Sequence, residues 1–201
     1  MGMMKRVTVA ITGASGAIYA LRTLRALLMT GATADVIVSD FGWMLLRDEV
    51  GFTGKQTDLD NFLRTRYGDM SGQLVLHPLG DLSATLASGS ARSDGMVVVP
   101  CSMKTLSGIA HGLSQNLIER AADVTLKEHR PLILVPRETP MNLIHLRNMV
   151  LATEAGAMML PAMPAFYQNP ETFDDLADFI AGRIFSLLKI EHHLFPAWEG
   201  K

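Results

Sequence analysis

The sequence predicts an α/β chain: an open, doubly wound parallel sheet with helices on both faces, three layers deep. Three observations predict it. Strand and helix signals alternate along most of the 201 residues, which implies right-handed crossovers. The strand candidates are continuous apolar runs, as strands buried on both faces require. Glycine, proline and serine gather where those runs end, at 13–16, 39, 100–102 and 136–140. In sheets of this class ligands bind outside the carboxyl ends of the strands.

Residues 6–12 are a β-branched run ending at Gly13, the first strand. Residues 18–29 carry Leu21, Leu24, Leu27 and Leu28 along one side of a helix, which Gly31 can end. A second strand spans 34–38. Ser39 or Asp40 caps a helix running to about Glu49. Residues 58–67 form the next helix and 73–77 a short strand. The longest loop is 78–93, with ASGS at 87–90 in its middle. Residues 96–99 are the strongest strand, stopped by Pro100. Helices at 104–111 and 117–128 follow, then a strand at 132–135, a helix at 142–154 and a strand at 157–160. The last long helix is 171–188, with Phe173, Leu176, Ile180, Ile184 and Leu187 as its apolar stripe. Arg183 borders that stripe. It reads either as a snorkelling side chain or as a partly buried arginine holding a carboxylate or phosphate. There is no internal repeat. The expectation is one domain over 1–201, with 189–201 as a C-terminal tail.

Apolar residues make up 48% and charged residues 19%, with a mean hydropathy of +0.21. That balance excludes a disordered chain. It is also more apolar than a small monomer needs, so part of the surface is expected to lie against partner chains. A net charge of −2 gives no field attractive to nucleic acid. The single cysteine, Cys101, excludes an internal disulfide framework and a cysteine-based zinc site. It also fits a reducing cytosol. No run approaches the ~20 uninterrupted apolar residues of a membrane span. Lys5-Arg6 before the apolar 7–20 has the flanks of a signal peptide, but Gly13 and Gly16 interrupt it, and a buried strand suits it better. The expected location is cytoplasmic. None of the six histidines lies in an H-E-x-x-H arrangement, so no metal is expected, and His192-His193 reads as a polar turn. Trp43 reads as core; Trp198, after Pro196, does not.

The run TGASGA at 12–17 lies between a strand and a helix. Its small residues let backbone N–H groups approach an anion at the helix N-terminus, with the Ser15 hydroxyl as a further donor. The alternative is a tight turn with no ligand. The dinucleotide fingerprint G-x-G-x-x-G fails, because Ser15 stands where its second glycine belongs. Tyr19, Tyr67 and Tyr167 also lack a lysine four residues on, which further disfavours a nicotinamide enzyme. PCSMKT at 100–105 is a second candidate anion site, or an N-cap with a solvated lysine. Cys101 reads as a small buried residue rather than a nucleophile. Arg120, Asp123 and Lys127 share a helical stripe that, on spacing alone, is a salt-bridged solvated face. Arg137-Glu138 follows a strand directly, at the ligand edge.

With ITGASGA at 11–17, PCSMKTLSG at 100–108, LIERAADV at 117–124, LKEHRPL at 126–132, VPRETP at 135–140 and PAMPAFY at 161–167, the chain resembles the flavin prenyltransferases. These are the UbiX-like flavoproteins long described as aromatic-acid decarboxylases. The likeness covers most of 5–49 and 96–198, and little of 51–86. It implies a flavodoxin-like (Rossmann-like) fold and a homo-oligomer, a dodecamer built from trimers with sites between subunits. It implies transfer of a dimethylallyl group from dimethylallyl phosphate to N5 and C6 of reduced FMN. The product, prenylated FMN, would serve a UbiD-type decarboxylase, and no metal is involved.

By position, the resemblance places FMN against Gly13, Ala14, Ser15, Ser39, Ser102, Met103, Lys104, Thr105 and Arg137. It places the prenyl phosphate against Arg120, Lys127, Glu138, Tyr167 and Arg183, with Trp198 as a C-terminal aromatic near the site. Glu49 is the implied base, and Ser15 and Glu138 an implied proton relay to the phosphate. Two rival readings share the fold: an FMN-dependent cysteine-type decarboxylase and a non-catalytic FMN-binding accessory protein.

Overall fold

The computed structural model describes residues 5–196. Six strands, β1 (Arg6–Ile11), β2 (Thr33–Val38), β3 (Gln73–His77), β4 (Met96–Cys101), β5 (Leu132–Pro136) and β6 (Met158–Met159), form one sheet. Every pairing is parallel, in the order β3-β2-β1-β4-β5-β6. Without the edge strand β3 the order is that of flavodoxin, and β3 adds a sixth strand beside β2. The order reverses between β1 and β4, so that boundary is the switch point where a crevice opens.

Strand alternation sends Val7, Val9 and Ile11 to one face and Ala10, Val98 and Leu134 to the other; all six are fully buried. The first face carries α1 (Ala17–Met29), α2 (Asp40–Val50), α3 (Leu59–Tyr67) and α7 (Phe173–Leu187). The second carries α4 (Met103–Ala110), α5 (Leu117–Lys127) and α6 (Leu143–Glu154). Each fully buried valine or leucine contributes about 1.5–3 kcal/mol, so the two layers together fix the sheet between them. Among the described residues the most deeply buried charged side chain is Asp35. Asp35 on β2 is 1% exposed and accepts from Arg6 at 2.6 and 2.7 Å, with His77 Nε2 at 2.7 Å. Burial pushes its carboxyl up, but the bonds to His77 and Arg6 outweigh burial and hold it below the usual carboxylate range.

Several elements differ from their expected bounds for local reasons. The last helix starts at Phe173, because the Thr172 hydroxyl accepts from the backbone N–H of Asp175 and ends the preceding turn. Phe173, expected in the apolar stripe, is 80% exposed instead. β6 shrinks to two residues, since only Met158 and Met159 pair with β5. The 78–93 loop contains one 3-10 turn, Thr85–Ala87. Cys101 is fully buried and burial pushes its thiol up to about 12, which leaves it inert at neutral pH. Trp43 is core, stacked on Phe52 with ring centroids 5.5 Å apart.

α6 stands apart from the other helices. It packs on α4 and against β6, yet Leu143, Ile144, Leu146, Val150 and Leu151 are all exposed. Arg147, Thr153 and Glu154 are exposed among them, so this outward surface is mixed but carries five large apolar side chains. Among the described residues no helix is long and apolar enough to cross a membrane, and no group of three His, Cys, Asp or Glu could hold a metal ion.

Candidate functional site

The switch point is stitched by one side chain. Thr12, the residue after β1, donates its hydroxyl to the Pro100 carbonyl at 2.8 Å and accepts from the backbone N–H of Ser102 at 2.8 Å. The turns leaving β1 and β4 are thereby held side by side. Ser102 caps α4, its hydroxyl accepting from the Thr105 N–H at 3.2 Å. Met103, Lys104 and Thr105 form the first turn behind that cap, with Lys104 exposed. Ser39 caps α2 in the same way, accepting from the Gly42 N–H at 3.1 Å, and its own N–H is bound to the Ile11 carbonyl at 3.0 Å. Two serine-capped helix N-termini therefore flank the β1 turn. That turn runs close to α2: a Cβ on Gly13 would lie 2.4 Å from the Phe41 Cβ, so only glycine fits. Ala14 is buried beneath the turn, while Gly13 and Ser15 are exposed at its surface.

The N-terminus of α1 is not open to an incoming anion, contrary to the expectation for TGASGA. The Glu49 carboxylate already fills it, accepting from the backbone N–H groups of Gly16 and Ala17 at 2.8 Å each. Burial pushes the Glu49 carboxyl up. The Ser15 hydroxyl, those two N–H groups and the Arg137 charge outweigh burial and hold it below the usual carboxylate range. Arg137, arriving from the end of β5, donates Nε to the Ser15 carbonyl at 2.8 Å. Glu49, Ser15 and Arg137 thus meet around one turn although they come from three separate elements. Glu138, next along, lines a small cavity of about 80 Å³ with Arg137 and the methionines Met103, Met141, Met149 and Met163.

The residues expected around the prenyl phosphate are not gathered within one chain. Tyr167 and Arg183 share a cavity of about 680 Å³ with Ser186, His192, His193, Phe195 and Pro196, on the α7 side of the sheet. Arg120 and Lys127 lie on α5, on the opposite face. Lys127 sits two residues beyond Thr125, whose hydroxyl meets Met96 at the start of β4, so it lies toward the amino ends of the strands. Arg120 binds Asp123 at 2.7 Å and the Ala87 carbonyl at 3.1 Å, and Lys127 binds Glu128 at 3.0 Å. Arg130 clasps the Gly89 carbonyl at 2.7 Å, which seats residues 87–90 on the basic helix. A buried sheet separates the two groups, so one ligand can meet both only across a contact between chains. Trp198 lies outside the described residues.

Thr12 and the 87–90 loop escape a reading of the sequence. Thr12 looks like any strand-ending threonine, and its partners stand 88 and 90 positions away. The ASGS run looks like an ordinary polar loop until α5 is found beneath it.

Comparison with known proteins gives one consistent picture. The Flavoprotein family model matches residues 2–185. A flavin prenyltransferase UbiX of Alkalihalophilus pseudofirmus is 46% identical over 194 residues, covering 96% of each chain. That of Pseudomonas aeruginosa is 43% identical over 196 residues, covering 96% of this chain and 94% of its own. A crystal structure of AnUbiX (PadA1) in complex with FMN and dimethylallyl pyrophosphate superposes with a TM-score of 0.88. It is 38% identical, covering 99% of this chain and all of that one. A dodecameric FMN-dependent UbiX-like decarboxylase from Escherichia coli O157:H7 gives a TM-score of 0.85 at 38% identity, covering 98% of this chain and all of its own.

Proposed function

The chain belongs to the flavin prenyltransferase family, and on that premise we propose that it joins the dimethylallyl group of dimethylallyl phosphate to N5 and C6 of reduced FMN. The product, prenylated FMN, passes to a UbiD-type decarboxylase. The observation that carries this reading is the meeting of Glu49, Ser15 and Arg137 at a switch point flanked by the caps Ser39 and Ser102.

The residues there fit FMN. Two serine-capped helix N-termini and the exposed Lys104 suit its phosphate. The glycine turn at 13 brings backbone close to a flat ligand, and the methionine-lined wall beside Arg137 suits the ring. Gly13, Ala14, Ser15, Ser39, Ser102, Met103, Lys104, Thr105 and Arg137 are its binding residues. Reduced FMN is a substrate here and supplies an electron-rich ring.

The protein's own part follows from the charge that develops. Breaking an allylic C–O bond puts positive charge on carbon and negative charge on phosphate. Arg183 on one chain, with Arg120 and Lys127 on a neighbour, stabilises that phosphate through donors already in place. The exposed Tyr167 ring offers a π-face to the allyl cation. The bond to N5 would form as the C–O bond breaks, the N5 proton going to the departing phosphate. Closing the ring on C6 would consume the prenyl double bond, which takes up one proton while C6 gives up another to the Glu49 carboxylate. Ser15, bound to Glu49, and Glu138 carry protons toward the departing phosphate.

The site is completed by assembly, and the working form is a homo-oligomer, a dodecamer as in the Escherichia coli relative. The unpaired apolar face of α6 supports this, as does the division of Arg120 and Lys127 from Tyr167 and Arg183. The whole chain acts as one FMN-binding domain, in the cytoplasm, where its lone thiol stays reduced. Mass spectrometry of the flavin after anaerobic incubation with both substrates tests the reaction: a mass gain of one prenyl unit supports it, and unmodified FMN does not.

A further inference from the structure

The cavity lined by Tyr167 and Arg183 has a third wall, made by the C-terminal tail. After Leu187 the chain turns back through Lys189, at a φ of 54°, and the Ile190 N–H returns to the Phe185 carbonyl at 2.9 Å. His192 then docks on α7. Its Nε2 lies 3.0 Å from the Ser186 hydroxyl, and its ring meets Phe185 and Phe195. Phe195 stacks on Phe179 at 5.0 Å, and Gln168, beside Tyr167, donates to the Pro196 carbonyl at 3.1 Å.

This docking depends on Gly182. A Cβ there would lie 2.4 Å from the Phe195 ring and 2.9 Å from the His192 ring. The glycine is helical with an ordinary φ, so close approach rather than backbone freedom requires it. Pinned on both sides by His192 and Phe195, the tail turns the exposed His193 into the same 680 Å³ cavity as Arg183 and Tyr167. Among the described residues no hydrogen bond or ion pair engages His193, whereas His192 is spent on Ser186.

We propose that His193 is a substrate-binding residue whose imidazole donates a hydrogen bond to the phosphate of the prenyl donor beside Arg183. Gly182 is the positioning residue that holds it there by admitting the tail onto α7. The inference rests on the functional reading above, which makes this cavity the seat of the phosphate. Hydrogen bonds to a charged group are stronger than neutral ones, and a phosphate offers acceptors to several donors at once.

The test is the kinetics of the full-length oligomer with dimethylallyl phosphate, with inorganic phosphate as competitor and FMN affinity as control. His193→Ala should raise both the KM for the donor and the inhibition constant of phosphate by about tenfold, leaving kcat and FMN affinity within about twofold. His193→Gln keeps an N–H donor and should recover most of the loss. Gly182→Leu, checked for an unchanged thermal transition, should match His193→Ala. Unchanged KM and inhibition constant in His193→Ala, with both raised in Arg183→Ala, would overturn the role of His193 and leave the cavity as the donor site. Both constants unchanged in Arg183→Ala as well would overturn the functional reading of the cavity itself.

Discussion

The Glu49 carboxylate oxygen Oε2 lies 2.8 Å from the backbone nitrogen of Ala17, 32 positions away in the chain, and equally close to that of Gly16. An acidic side chain brought from the far end of α2 therefore closes the N-terminus of α1. Negative charge is favoured there, where the helix dipole and unpaired N–H groups face outward. The same carboxylate stands beside Ser15 and Arg137 at the switch point. The structural cap is thus the same group as the proposed proton acceptor.

Glu49→Gln separates the two roles. An amide oxygen can still accept from Gly16 and Ala17, so the fold and FMN binding should persist. It cannot accept the proton of ring closure, so turnover should fall by at least about 100-fold, in the range typical of a lost general base. FMN titration and single-turnover kinetics on the same preparation check this. Normal turnover would remove Glu49 from the mechanism.

The cap also sets a pH dependence of stability. The folded carboxyl titrates below its ordinary value of 4.5. The unfolded chain therefore takes up the proton first on acidification, and the stabilisation is present above about pH 4.5 and lost as pH falls through the folded value. Subtracting the thermal transition of Glu49→Gln from that of the parent should leave a difference that is steady near neutrality and shrinks in acid. A difference that grows on acidification would contradict the assignment.

Much of this was legible in the sequence, and the rest was hidden for physical reasons. Local signals carried the elements: the apolar strand 96–99, the Ser39 and Ser102 caps, the burial of Trp43 and Cys101. The residues proposed to bind FMN, from Gly13 to Arg137, follow strand ends at the carboxyl edge, as their local pattern predicts. What stayed hidden was long-range. No local pattern says that Glu49 fills the α1 N-terminus, that Thr12 ties two turns together, or that Gly182 is a docking point for Phe195. The Arg120–Lys127 stripe looked bland on spacing alone, and within one chain it is in fact ion-paired. Phe173 kept helical spacing but lost its packing partner, because the helix begins only there.

The division of the residues proposed to bind the phosphate predicts complementation. Assayed at donor concentrations well below the parental KM, Lys127→Ala and Arg183→Ala should each be nearly inactive with their own kind. Subunits of the two variants, dissociated, mixed equally and reassembled, should recover about a quarter of parental activity, the share of sites built from two intact halves. No recovery, in mixtures shown by native mass spectrometry to be hetero-oligomers, would mean that both residues serve a site within one chain.

The exposed face of α6 predicts how assembly fails. Ile144→Glu with Val150→Glu places two charges on a surface that is 67% and 56% exposed at those positions. The protomer should fold, since neither side chain is in its core, but light scattering should report smaller species. An unchanged mass would place the subunit contacts elsewhere.

The most direct measurement is anaerobic: purified protein, reduced FMN and dimethylallyl monophosphate, followed by mass spectrometry of the released flavin. The predicted result is a flavin heavier by one prenyl unit, formed by the parent and absent with Glu49→Gln. Stoichiometrically bound but unmodified FMN, with the monophosphate and then with the diphosphate, would contradict prenyl transfer and leave a flavin-binding protein of another activity.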